Sequence, residues 1–162
     1  MTQTSAPDTV RRDSALNDMK GLYPSLADTG DHLARAAVYG RLAGLADEAA
    51  RCAGTSVLPA MESGGSTMRA QAYADSARYL RLLAFGERHF GRHTRGTAPL
   101  QGFPPVEREL WEAYLQSDDR LYRAELLIQL TEVTGQRAGF EGAAEISRAV
   151  TAEREAAGFF VA

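Results

Sequence analysis

The stretch DHLARAAVYGRLAGLADEAARCAG, residues 31–54, decides the fold class. Val38, Leu42, Leu45, Ala49 and Cys52 recur at steps of four and three, a spacing that lays one apolar stripe along an α-helix. Asp28, Thr29 or Asp31 can cap its open N–H groups, and Gly54 ends it. Ala36, Gly40 and Gly44 repeat every four residues beside the stripe. A glycine inside a helix costs about 1 kcal/mol relative to alanine, so this pair predicts a neighbour that approaches closely.

The same reading extends in both directions. A short helix is expected over Asp8–Lys20, stopped by Gly21 and Pro24. After a loop at Thr55–Ser66, marked by Pro59 and Gly64-Gly65, a long helix runs from Thr67 to His93. Gly96, Pro99, Gly102 and Pro104-Pro105 punctuate the next loop. A fourth long segment, Pro105–Thr134, opens with proline at a first helical position and with Glu107 and Glu109 in its first turn, where the helix dipole favours acids. A last helix spans Gly139–Ala157. No strand-like alternation and no repeat interrupts this series. The expectation is an all-α fold, an antiparallel helical bundle of four main helices plus a short N-terminal helix. Its organisation reads as a disordered tail over 1–9, one domain over 10–158 and an apolar tail over 159–162. That tail, Phe159 to Ala162, either folds back or docks on another copy or another protein.

With 162 residues and 44% hydrophobic content, the chain suits one domain with a substantial core. Met1 to Thr9 lack the apolar run of a secretory signal, and no segment approaches the roughly 20 apolar residues of a membrane span. A single cysteine, Cys52, cannot form an internal disulfide, and it lies on an apolar stripe where a thiol serves as a small core residue. These features read as a cytoplasmic protein without membrane contact. The 17 arginines accompany one lysine, Lys20, and the net charge of −3 weighs against a general nucleic-acid binder.

Charge is segregated along the chain. Residues 66–95 carry a net +4 and residues 105–157 a net −5. Arg78, Arg81, Arg88 and Arg92 fall within about 80° of arc on the third long helix. One destination for this stripe is an external phosphate or acidic partner. The favoured destination is internal. If the third and fourth segments form a hairpin, Arg95 meets Glu107, Arg88 meets Glu112, and Arg81 meets Asp118 or Asp119. Asp118, Glu125 and Glu132, spaced by seven, would then run along the apolar face beside Leu110, Trp111, Leu115, Leu121, Tyr122 and Ile128.

His89 and His93 are four apart and share a helical face, a spacing that can ligate one zinc or iron ion. His32 could supply a third ligand, with Asp28, Asp31 and Glu87 orienting the shell. The segment Arg88-His89-Phe90-Gly91-Arg92-His93 also resembles, over those six residues, the Arg-polar-x-x-x-His signature of HEPN-type helical ribonucleases. That resemblance implies His93 as acid–base and Arg88 as a charge stabiliser acting on an RNA phosphodiester.

A phosphate-binding Gly-x-x-x-x-Gly-Lys-Ser/Thr loop, a dinucleotide fingerprint and a Gly-x-Ser-x-Gly elbow are absent from the sequence. The expected function is therefore a helical-bundle module acting by protein–protein contact or self-assembly, without catalysis and without a cofactor. The alternatives are a metal-binding bundle using His89, His93 and His32, and the ribonuclease reading.

Overall fold

The computed structural model describes residues 6–54, 60–93 and 103–161, with side chains over 8–53, 69–90 and 103–157. It is all-helical, 85% helix with no strand among the described residues, and six helices pack together. They are α1 (Ala6–Leu22), α3 (His32–Gly54), α4 (Ala60–His93), α5 (Pro105–Gln116), α6 (Arg120–Val133) and α7 (Ala143–Val161); a single turn, α2 (Ser25–Asp28), links the first two. Among the described residues, no helix is long and apolar enough to cross a membrane.

Helix α3 begins as its sequence expects. Asp31 accepts hydrogen bonds from the Leu33 and Ala34 N–H groups, at 3.4 and 3.3 Å, and so caps the first turn. The segment expected as one helix over Pro105–Thr134 is broken in two. Ser117 leaves helical geometry (φ −104°, ψ 138°), and the Asp119 carboxylate caps a new helix by accepting from Leu121 N–H at 3.0 Å. The Ser117 hydroxyl accepts from Asp119 N–H at 3.2 Å. Ser117 and Asp119, two of three short polar side chains in a row, thus offer the backbone local partners that compete with the helical ladder.

That break resets the helical phase. Leu115, Leu121 and Tyr122 become exposed, as do Asp118, Glu125 and Glu132, while Ala124, Leu126, Leu127 and Leu130 turn inward. The expected line of carboxylates along an apolar face does not form. At the other boundaries, α1 begins at Ala6, inside the span read as a tail, and residues 1–5 lie outside the described residues. Helix α4 begins at Ala60, before Gly64-Gly65. Helix α7 continues through Gly158 to Val161; the side chains of the expected apolar tail lie outside those described.

Helix α4 is the centre of the molecule. Its most extensive contact is with α3, followed by α7 among its other neighbours. On one side Ala77 and Leu80 join Met19, Tyr23, Leu42, Ala43 and Ala46 from α1, α3 and the turn between α1 and α2. On the other side Tyr79, Leu82, Phe85 and Phe90 join Phe103, Trp111, Ala124, Leu127, Leu130, Ala149 and Val150. Leu83 packs against both clusters. Trp111, 1% exposed, sits among Phe90, Phe103 and Tyr114 with ring centroids 5.1 to 5.7 Å apart.

The close helix approach lies where sequence spacing did not point. A Cβ on Gly40 or Gly44 would meet nothing within 4 Å, whereas one on Gly86 would stand 2.8 Å from Leu127 Cδ2. Gly86 lets α4 and α6 touch. Gly44→Ala is therefore expected to raise the melting temperature, through a gain of about 1 kcal/mol of helix propensity. Gly86→Ala should fail to show that gain because buried Leu127 blocks the new methyl. Thermal unfolding followed by circular dichroism checks both; equal gains would contradict the placement.

Candidate functional site: two polar seams on one helix

With apolar clusters on two sides of α4, two groups of its polar residues leave along the remaining seams. At 100° per residue, Arg78, Arg81 and Arg88 occupy about 80° of arc, and Tyr79, Leu83 and Glu87 occupy about 80° centred on the opposite side.

The arginine seam is a groove of about 470 Å³. Arg78, Arg81 and Arg88 form one wall, with Leu82, Ala84 and Phe85 as an apolar floor. Gly40 of α3 borders it, and the α6–α7 connection supplies Gln136, Arg137, Ala138 and Gly139. Gly135 and Gly139 hold that connection in shape. Both adopt positive φ, 77° and 78°, a conformation glycine takes without steric cost.

The carboxylates that answer this seam come from unexpected places. Arg81 pairs with Asp47 on α3, and Arg78 pairs with Glu145 at the start of α7 while lying 4.7 Å from the Phe140 ring centroid. The Arg78 hydrogen bond holds the Glu145 carboxyl below its usual value. None of these partners belongs to α5 or α6, so the expected hairpin ladder of Arg81 with Asp118 or Asp119 is overturned. Arg88 and Arg137 are exposed, and neither has a carboxylate partner among the described residues. Four arginines and no acid line the groove, and two of those arginines remain unanswered. Arg92 and Arg95 lie outside the described side chains.

The opposite seam encloses a smaller cavity of about 180 Å³, lined by Arg35, Tyr39, Tyr79, Leu83, Glu87, Tyr114, Arg120, Arg123, Leu127 and Glu153. Five helices contribute to it. Glu87 accepts from Arg35 Nε at 3.0 Å and lies 2.6 Å from His32 Nδ1. Arg35 also donates to the Leu26 and Thr29 carbonyl oxygens at 2.7 and 3.4 Å. Arg120 donates to Glu153 at 3.2 Å. Glu153 is 5% exposed, and burial raises its pKa, an effect the Arg120 charge offsets only in part. Burial likewise pushes the Tyr79 and Tyr114 phenols upward.

The histidines of the sequence reading are placed apart in their chemistry. His32 binds Glu87 and meets Phe90 edge-on at 4.8 Å. His89 lies 3.3 Å from Glu107 Oε2, stacks on Phe85 at 5.5 Å, and faces Phe103 and Trp111. Each thus engages a different carboxylate. Among the described residues no three His, Cys, Asp or Glu side chains converge as a metal site, and the His93 side chain lies outside those described. Cys52 is buried, and desolvation raises its thiol pKa, which disfavours the reactive thiolate.

Sequence reasoning identified Arg78, Arg81 and Arg88 as one line, and named Glu87 only as part of a metal shell with the histidines. It missed Arg137, Asp47 and Glu145, and the whole of the inner cavity. Comparison with protein-family models, with curated proteins and with solved structures returned no match to this chain.

The buried acid gives a pH signature. Native Glu153 holds its proton to higher pH than the unfolded chain does, so its contribution to stability falls as pH rises through and above the ordinary carboxylate value of 4.5. Glu153→Gln removes that titration. The melting temperature of the variant minus that of the native chain should therefore grow more positive between about pH 4 and about pH 7. A difference that stays flat or shrinks over that range would contradict a desolvated Glu153.

Proposed function

We propose that this chain is a non-catalytic helical-bundle module that works by protein–protein contact, docking an acidic segment of a partner protein in the groove between α4 and the 134–142 connection. The carrying observation is the groove's charge: four lining arginines, no lining acid, and no described carboxylate on Arg88 or Arg137. A chain of net charge −3 that gathers unneutralised arginines in one concave place has a locally positive surface despite its overall sign.

Shape supports a peptide over a lone anion. From Arg78 to Arg88 is ten residues, about 15 Å along the helix axis. An extended chain advances about 3.3 Å per residue, so the groove spans about four to five residues of a partner strand. Guanidinium groups offer paired donors that match carboxylate geometry, and the Leu82, Ala84 and Phe85 floor can receive apolar side chains between the acids. Exposed charge pairs contribute only about 0.2–1 kcal/mol each, so the contact is expected to be modest in affinity and sensitive to salt.

Fluorescence anisotropy with a labelled octapeptide of alternating aspartate and glutamate tests the reading. Binding is expected to weaken with added salt and to fall at least tenfold in the Arg88→Glu/Arg137→Glu double variant, with helical circular dichroism unchanged. Equal affinity in the double variant, or tighter binding of a single-stranded RNA of similar length, would overturn it.

A further inference from the structure

We propose that the inner cavity, on the opposite seam of α4, is a second binding site that takes a small monocarboxylic acid, with its carboxylate on Arg123. The inference is independent of the groove and rests on an incomplete pairing of charges. Three guanidinium groups and two carboxylates line the cavity. Arg35 is closed by Glu87, by the Leu26 and Thr29 carbonyls and by the Tyr39 hydroxyl. Arg120 is closed by Glu153. Glu87 is doubly engaged, by Arg35 and His32. Arg123 is the group left over.

Its environment is that of a held but unanswered cation. The guanidinium carbon stands 4.0 Å from the centroid of the Tyr114 ring, which fixes it over the aromatic face. Its Nε is buried and has no hydrogen-bond acceptor among the described residues. The terminal Nη groups of the same guanidinium have no carboxylate partner among the described residues, and they can donate two parallel hydrogen bonds to an incoming carboxylate. Tyr79 and Tyr114 also line the cavity, and their phenols are neutral O–H donors whose pKa values burial raises further. Guanidinium plus phenol donors complement an anion with oxygen acceptors. A second negative charge on the ligand would face Glu87 and Glu153, so a single charge fits.

Size and lining narrow the class further. About 180 Å³ accommodates roughly six to a dozen non-hydrogen atoms, taking about 15–30 Å³ for each. Leu83 and Leu127 give the site an apolar side for a short hydrocarbon or ring, and half-exposed Arg120 stands at its rim. The ligand class is therefore a compact monoacid with an apolar or hydroxylated body.

Lactate and benzoate are suitable probes, with lactamide, benzamide and inorganic phosphate as comparators. The full chain, carrying labelled leucine methyl groups, is titrated and followed by nuclear magnetic resonance. At least one of the two acids should produce saturable shifts at Leu83 and Leu127, and the uncharged amides and phosphate should not. Arg123→Lys, which keeps the charge but loses the fork, should weaken acid binding at least tenfold, whereas Arg88→Gln should leave it unchanged. The native-chain titration stands by itself if the Arg123 variant fails to fold. No saturable shift with either acid, equal shifts with amide or phosphate, or undiminished binding by a folded Arg123→Lys would overturn the proposal.

Discussion

Enclosure of α4 on two sides is the constraint from which the other features follow. Ala77 and Leu80 are drawn into the cluster with α1 and α3, while Leu82, Phe85 and Phe90 are drawn into the cluster with α5, α6 and α7. Each buried large apolar side chain contributes on the order of 1.5–3 kcal/mol, so the helix cannot rotate without exposing one cluster or the other. Its azimuth is fixed. Of the charged side chains on a helix held this way, Asp75 is buried near Arg148 of α7 and the rest of its central charges leave along the two seams. Arg78, Arg81 and Arg88 must share one of them, and Glu87 must take the other.

The two seams solve the problem of charge differently. On the outer seam water solvates the arginines, so incomplete pairing is tolerable, and Asp47 and Glu145 need only reach part of the line. On the inner seam Glu153 and the Arg123 Nε are buried, and such groups need partners inside the protein. Arg35 with Glu87 and Arg120 with Glu153 obey that rule, although burial still raises the Glu153 pKa against the pull of Arg120. Arg123 obeys it only through the Tyr114 face.

What the sequence discloses follows from how local each signal is. The start of α3 was legible because Asp31 acts on its own backbone neighbourhood, and the all-helical class was legible from spacing alone. The α5–α6 break was harder, since apolar residues continue across it at helix-like intervals and only Ser117, Asp118 and Asp119 mark the interruption. The partners of the arginine line were not legible at all. Proximity in sequence suggested the following segment, but Asp47 and Glu145 come from α3 and α7, and helical periodicity specifies a face without specifying which helix covers it. The inner cavity draws single residues from five helices, so no spacing could announce it. Gly86, whose role is close approach, carries a signal indistinguishable from that of Gly40 and Gly44, which border open space.

Arginine reactivity reads the state of both seams most directly. Brief treatment of the folded chain with phenylglyoxal, followed by peptide mass mapping, ranks the guanidinium groups by access and by engagement with carboxylates. Among Arg35, Arg78, Arg81, Arg88 and Arg137, the exposed and unpaired Arg88 and Arg137 should react first, Arg81 more slowly, and the less exposed Arg78 and Arg35 last. Protection of Arg88 and Arg137 to the level of Arg35 would mean that the chain already neutralises its own outer seam, and the enclosure of α4 would then have to be redrawn.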